Sequence, residues 1–163
     1  MKLLVDLPSE PLPSLSAVGG KALSLFRLAA SGFPVPPGCV LTAAFFHPWF
    51  DRLCRSDAWS QLVAGPVADW PERCEALKEI GAALPLNAKQ TQAFQSLVQR
   101  CSAVDQTPLF AVRSSSPEED LAAASFAGGY ETRLGVAPAE LETAVRACFL
   151  SSLDVRVLSY KRS

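Results

Sequence analysis

A chain of 163 residues, 49% hydrophobic and 19% charged, is long enough to bury one core and too short for two complete domains. Lysines and arginines (15) nearly balance aspartates and glutamates (16), so no global field draws in nucleic acid or an anionic membrane, and no apolar run reaches the roughly 18 to 20 residues that span a bilayer. Five cysteines, at positions 39, 54, 74, 101 and 148, are odd in number and too far apart for a Cys-x-x-Cys metal site, and no apolar signal segment opens the chain; reduced, mostly buried thiols in the cytoplasm are expected.

Lys2 to Leu7 reads as a short edge strand, and Pro8, Pro11 and Pro13 stop regular structure before Ser14. Gly19-Gly20-Lys21 then opens a helical pattern in which Ala22, Leu25, Phe26 and Ala29 share one face, and Ser31-Gly32 ends it. Lys21 falls in the first turn, where a cation opposes the helix dipole. A bound anion accounts for that placement, and a solvated side chain is the plainer account. The Walker phosphate loop is excluded, because Leu15 stands where that loop needs glycine and Ala22 where it needs Ser or Thr.

Pro34, Pro36 and Pro37 dictate an extended entry into a short buried strand, Cys39-Val40-Leu41, and Thr42 is placed to cap a helix carrying Phe45, Phe46, Trp49, Phe50 and Leu53. His47, the only histidine, lies on that helix and receives no role. From Ser56 to Ala68 the periodicity is weak and no element is assigned. Cys74, Leu77, Ile80 and Leu84 make a helical face that Pro85 ends. Asn87 with Gln90 forms a capping-box pattern ahead of Thr91, Phe94, Leu97, Val98 and Cys101. Both helices read as scaffold.

The stretch from Leu109 to Leu134 carries the most chemistry per residue. Leu109, Ala111 and Arg113 point one way on an extended strand and Phe110 and Val112 the other, which predicts a buried strand delivering a guanidinium at its mouth. Hydroxyls follow at Ser114, Ser115 and Ser116, then acids at Glu118, Glu119 and Asp120, and Ser125 to Gly129 leads into a second extended run, Tyr130 to Leu134. Glycines that admit a close backbone approach, together with loop hydroxyls and amides, suit a polyphosphate. Spacing alone favours the plainer reading, an Arg113–Asp120 pair across a surface turn and a tight bend at Gly128-Gly129. Beyond it, Pro138 suits a first helical position, Glu140 and Glu142 favour the positive end of that helix, and Leu141, Val145, Cys148 and Phe149 face inward. A cap at Ser151 or Ser152 is expected to start a last helix with Val155, Leu158 and Tyr160, cut off at Ser163.

Val112-Arg113-Ser114-Ser115, Glu119-Asp120-Leu121, Ser125-Phe126-Ala127-Gly128 and Glu131-Thr132, with Gly19-Gly20-Lys21 and Pro34 to Gly38, resemble the ATP-binding domain of the phosphoenolpyruvate synthase and pyruvate phosphate dikinase family. That family also includes glucan water dikinases and rifamycin phosphotransferase, and the similarity extends through Ala144 to Tyr160. The resemblance implies an α+β fold: the first lobe of an ATP-grasp domain, short strands packed with amphipathic helices. Residues 1–163 would form a partial N-terminal domain, with the second lobe and later domains absent. It further implies that Lys21 and Arg113 contact phosphate oxygens, that Gly128 lets the backbone approach the nucleotide, and that Thr132 donates a hydroxyl beside it. ATP is the implied ligand, with Mg²⁺ held by the missing lobe. Glu118, Glu119 and Asp120 are assigned no metal, because a hard cation needs carboxylates converging from several segments.

The implied reaction is ATP-dependent phosphorylation of pyruvate through a phosphohistidine on an absent domain, with the chain inactive alone and an apolar face left open toward the second lobe. Two alternatives stand beside it: a non-catalytic diverged module that binds nucleotide or a partner protein, and a dikinase lobe serving a glucan or rifamycin acceptor. The chain departs from the family pattern at Ala122, where proline is frequent, and at Gly129-Tyr130, where polar residues are usual.

Overall fold

The edge strand expected within Lys2 to Leu7 forms: Leu4–Leu7 (β1) pairs antiparallel with Gly38–Leu41 (β2), Leu4 opposite Leu41 and Asp6 opposite Cys39. The computed structural model describes residues 2–102, 109–116 and 131–162. A second antiparallel pair joins Phe110–Arg113 (β3) to Thr132–Val136 (β4), with a register irregularity between Phe110 and Val112. Around these small sheets lie α1 (Leu15–Ala30), α2 (Ala43–Cys54), α3 (Asp57–Ala64), α4 (Trp70–Ala83), α5 (Ala88–Ser102), α6 (Leu141–Leu150) and α7 (Val155–Arg162). The fold class is α+β, as the sequence predicts.

Buried apolar side chains gather in three clusters among the described residues. One joins Leu7 of β1 to Val18, Ala22, Leu23 and Phe26 of α1. A second packs Leu53, Leu62, Trp70, Cys74 and Leu77 against Leu150 and Leu153. The third sets Leu97 of α5 and Val136 of β4 on Leu141, Ala144 and Val145 of α6, with Phe110 and Val112 of β3 against it. Helix α6 therefore contributes to two clusters, Leu150 to one and its first two turns to the other. Burying a large apolar side chain stabilises by about 1.5–3 kcal/mol, and Trp49, Phe45 and Phe26 are almost entirely enclosed.

Helix ends follow the expected chemistry at several points. Asn87 and Gln90 cap each other reciprocally: Asn87 N–H donates to Gln90 Oε1 at 2.9 Å and Gln90 N–H to Asn87 Oδ1 at 3.0 Å. Gln90 then donates its amide to the Phe45 carbonyl at 2.7 Å, which ties α5 to α2. At the end of α1, Gly32 has φ 83° and its N–H bonds to Ala29 O while Phe33 N–H reaches Leu28 O, a Schellman closure.

Four expectations are corrected. Thr42 has the extended backbone of a cap, but its hydroxyl donates to Lys2 O at 2.8 Å instead of capping α2, because the N-terminal residues run beside it. Residues 57–64 are helical: Ser56 Oγ accepts the Trp59 N–H at 3.2 Å and starts α3, a short element whose apolar face is too brief to give a clear period. The last helix is capped neither by Ser151 nor by Ser152. Ser151–Leu153 form a 3-10 turn, Asp154 is extended, and its carbonyl takes the Leu158 N–H while its carboxylate pairs with Lys78 of α4. Finally, β3 is half-buried, with Phe110 and Val112 against the core and Ala111 and Arg113 exposed.

Candidate functional site

Helix α1 is broken at Gly19, where φ is 77° and ψ 171°, a conformation open essentially to glycine alone. A helical turn restarts at Gly20 and is seated on the segment that leaves β3. Gly20 N–H donates to Ser116 O at 3.1 Å, and Ala22 N–H donates to Ser115 Oγ at 2.9 Å. A Cβ at Gly19 would overlap the Ser115 carbonyl, so the two backbones touch where only glycine permits it. The Gly-Gly pair thus has two separate jobs: the first breaks the helix and admits Ser115, and the second starts a new turn.

This contact joins residues more than ninety positions apart. Lys21 lies between the two bonded amides of Gly20 and Ala22, and Arg113 ends β3 two residues before Ser115. Thr132 is the register partner of Arg113 on β4, and both are exposed. The turn that carries Lys21 therefore docks just beyond the strand end where Arg113 and Thr132 are paired. Gly128 lies outside the described residues, as do Glu118, Glu119 and Asp120 and the Gly129-Tyr130 and Ala122 departures. Ser114 Oγ is buried with no hydrogen-bond partner among the described residues.

The junction is supported from beneath by α6. Cys148 Sγ lies 3.7 Å from Val112 O and 3.4 Å from Glu131 O, bridging the end of β3 and the entry to β4. Ser151 Oγ accepts the Glu131 N–H at 3.2 Å and donates to Cys148 O at 2.8 Å. Burial and the nearby Glu131 carboxylate push the Cys148 thiol up, which keeps it a neutral donor. Glu131 in turn pairs with Arg133 at 2.8 Å. The sequence offers the Ser115 hydroxyl to a polyphosphate and Ser151 as a cap for the last helix, whereas in the structure Ser115 Oγ accepts the Ala22 N–H and Ser151 Oγ the Glu131 N–H. No local pattern reports a serine that caps a helix from elsewhere in the chain.

The outward face beside Arg113 and Thr132 is apolar. Leu109 is 71% exposed and Leu134, two residues beyond Thr132, is 75% exposed.

A glycine-broken helix carrying Lys21 therefore docks on the segment that leaves the strand ending at Arg113. Residues 15–163 match the family described as pyruvate phosphate dikinase, AMP/ATP-binding domain, and the chain belongs to that family. It is 31% identical over 170 residues to a probable phosphoenolpyruvate synthase of Methanocaldococcus jannaschii, an alignment covering 99% of this chain and 14% of that protein. A phosphoenolpyruvate synthase of Aeropyrum pernix is 30% identical over 170 residues, covering 99% of this chain and 21% of the relative. A rifampicin phosphotransferase from a Streptomyces species is 32% identical over 172 residues, covering 98% and 19%. The chain thus spans about a fifth or less of the length of these relatives. The family agrees with the motif-based expectation. No helix among the described residues is long and apolar enough to cross a membrane.

Proposed function

We propose that this chain binds ATP as the first lobe of an ATP-grasp-type domain and serves an ATP-dependent phosphotransferase of the phosphoenolpyruvate synthase type. The observation that carries the reading is the Gly19–Ser115 contact, which sets the Lys21 turn against the end of β3 beside Arg113 and Thr132. The residues suit a polyphosphate: an always-charged guanidinium with a two-pronged donor set, a lysine as a second cation, a threonine hydroxyl, and a helical turn whose partial positive end favours anions. Lys21 and Arg113 contact phosphate oxygens, Thr132 donates its hydroxyl beside them, and Gly128 allows backbone approach. In phosphoryl transfer the protein's part is mostly positioning and charge neutralisation, so cations on fixed elements carry the function and no nucleophile is needed here.

The complete enzyme adds a second lobe that holds Mg²⁺ and a domain bearing the phosphohistidine, and pyruvate is the acceptor. The apolar face with Leu109 and Leu134 meets the second lobe. Five unpaired cysteines favour the reducing cytoplasm. Calorimetry with ATP tests the reading: binding that Arg113→Ala abolishes supports it, and a chain that takes up no ATP refutes it. A rifamycin acceptor is the second reading, favoured by the rifampicin phosphotransferase relative. Joining the chain to its second lobe and phosphohistidine domain and offering pyruvate or rifampicin separates the two acceptors.

A further inference from the structure

The geometry points to Ser115 as a positioning residue for phosphate, one that acts through Lys21 by capping the Lys21 turn from the far side of the junction. The inference rests on the ATP reading above. A helix start needs a side-chain oxygen for the N–H groups of its first turn, ordinarily supplied by the residue just before it. At this start that residue is Gly19, which has no side chain to give. The missing acceptor comes instead from Ser115, 93 residues away, whose Oγ takes the Ala22 N–H at 2.9 Å while the next carbonyl, Ser116 O, takes the Gly20 N–H at 3.1 Å.

The alternative of a self-capping serine at position 19 is closed off sterically, since any Cβ there would overlap the Ser115 carbonyl, and the backbone conformation at 19 excludes it as well. The turn's direction is therefore set by the strand exit and not by its own sequence. Lys21 sits between the two bonded amides, and Arg113 sits two residues upstream of Ser115, whose hydroxyl takes the second of them. The Ser115 hydroxyl thus helps hold the Lys21 turn against the strand that ends at Arg113 before any ligand arrives, and pre-set donors spare a ligand the cost of ordering them.

A serine that only stabilised the fold would weaken ATP binding independently of Lys21. A serine that positions Lys21 has nothing left to position once that side chain is gone. The experiment is a double-mutant cycle on ATP affinity, measured by calorimetry with Ser115→Ala, Lys21→Ala and the pair, alongside amide exchange at Ala22. Ser115→Cys, which keeps the shape and weakens the acceptor, stands in if the alanine variant does not fold. Loss of a cap is expected to weaken ATP binding about five- to tenfold in the parent chain, by less than about twofold in the Lys21→Ala background, and to speed exchange at Ala22. Additive losses, or no loss in the parent chain, overturn the inference and leave the ATP reading intact. Lost affinity with unchanged exchange at Ala22 also overturns it, because Ser115 would then touch the ligand itself. A parent chain that does not bind ATP removes the ATP reading, and this role goes with it.

Discussion

The guanidinium of Arg146 lies 4.3 Å from the centroid of the Trp49 ring, stacked on a side chain that is 1% exposed. Its nitrogens also donate to Gly81 O in the last turn of α4 at 3.1 Å and to Leu84 O just beyond the helix at 2.6 Å, and pair with Glu142 at 2.8 Å. One cation thus caps α4 and holds α6 against α2. Arg146→Ala leaves two helix-end carbonyls without this partner and removes the stacking, so a loss of about 2–4 kcal/mol is expected. Arg146→Lys recovers only part, since an ammonium lacks the planar fork. Urea unfolding of the three proteins measures the order, and an alanine variant as stable as the parent sinks the claim.

Glycine at 19 and glycine at 32 both have positive φ, but only the first is crowded. Gly32→Ala meets nothing within 4 Å and is expected to cost only the left-handed backbone penalty, about 1–2 kcal/mol. Gly19→Ala adds a collision with the Ser115 backbone in a region closed to other residues, so its cost is expected to be clearly larger and ATP affinity to fall with it. Equal melting temperatures for the two variants would contradict the close approach.

Gln90 is 1% exposed and serves two partners, the Asn87 backbone and the Phe45 carbonyl. Gln90→Leu conserves bulk but leaves that buried carbonyl without its donor and dismantles the capping box, an expected loss of about 2–3 kcal/mol. Asn87→Ala loses only the cap, about 1 kcal/mol. Denaturant midpoints rank the pair.

Arg113 is exposed, so its value to the fold is small. Arg113→Ala is expected to leave the melting temperature nearly unchanged while ATP binding falls severely, and Arg113→Lys to restore part of it by keeping the charge without the fork. If melting falls and affinity holds, the residue is a structural partner and not a ligand.

Burial, the adjacent Cys101 thiol and the hydrogen bond to Asp6 push the Cys39 thiol from its ordinary 9.0 up to about 12. Burial raises Cys54, Cys74 and Cys148 as well. Above pH 9 the unfolded chain releases these protons while the folded chain keeps them, so unfolding gains. Stability is fully present below about pH 9 and falls as pH rises through the window toward 12. Chemical denaturation at pH 7.5, 9.5 and 10.5 is expected to show this decline, shallower in Cys39→Ser. A flat profile up to pH 10.5 counts against it.

What the sequence discloses here is local chemistry. The Asn87–Gln90 box and the Gly32 stop are read correctly because each is complete within a few residues. Helix α3 escapes because eight residues hold too few apolar positions to establish a period, although Ser56 caps it in the ordinary way. Thr42 and Asp154 mislead or hide because a cap-forming side chain reveals its type and not its partner: Thr42 is drawn to Lys2, and Asp154 is joined to Lys78. At the site, motif likeness points to Lys21, Arg113, Gly128 and Thr132, whereas the Ser115 bond that docks the Lys21 turn beyond β3 spans 93 residues and leaves no periodic trace.

Strand β3 divides its four residues between two duties, Phe110 and Val112 packed into the core and Ala111 and Arg113 turned outward. A random substitution on the inner pair endangers folding, while one on the outer pair alters only what the surface meets. Drift can therefore rewrite the outward positions in a protein that stays folded throughout. A selection experiment that randomises only Ala111, Arg113 and Leu134 would yield mostly folded chains, and what those chains bind at that face would be the trait free to vary among the survivors.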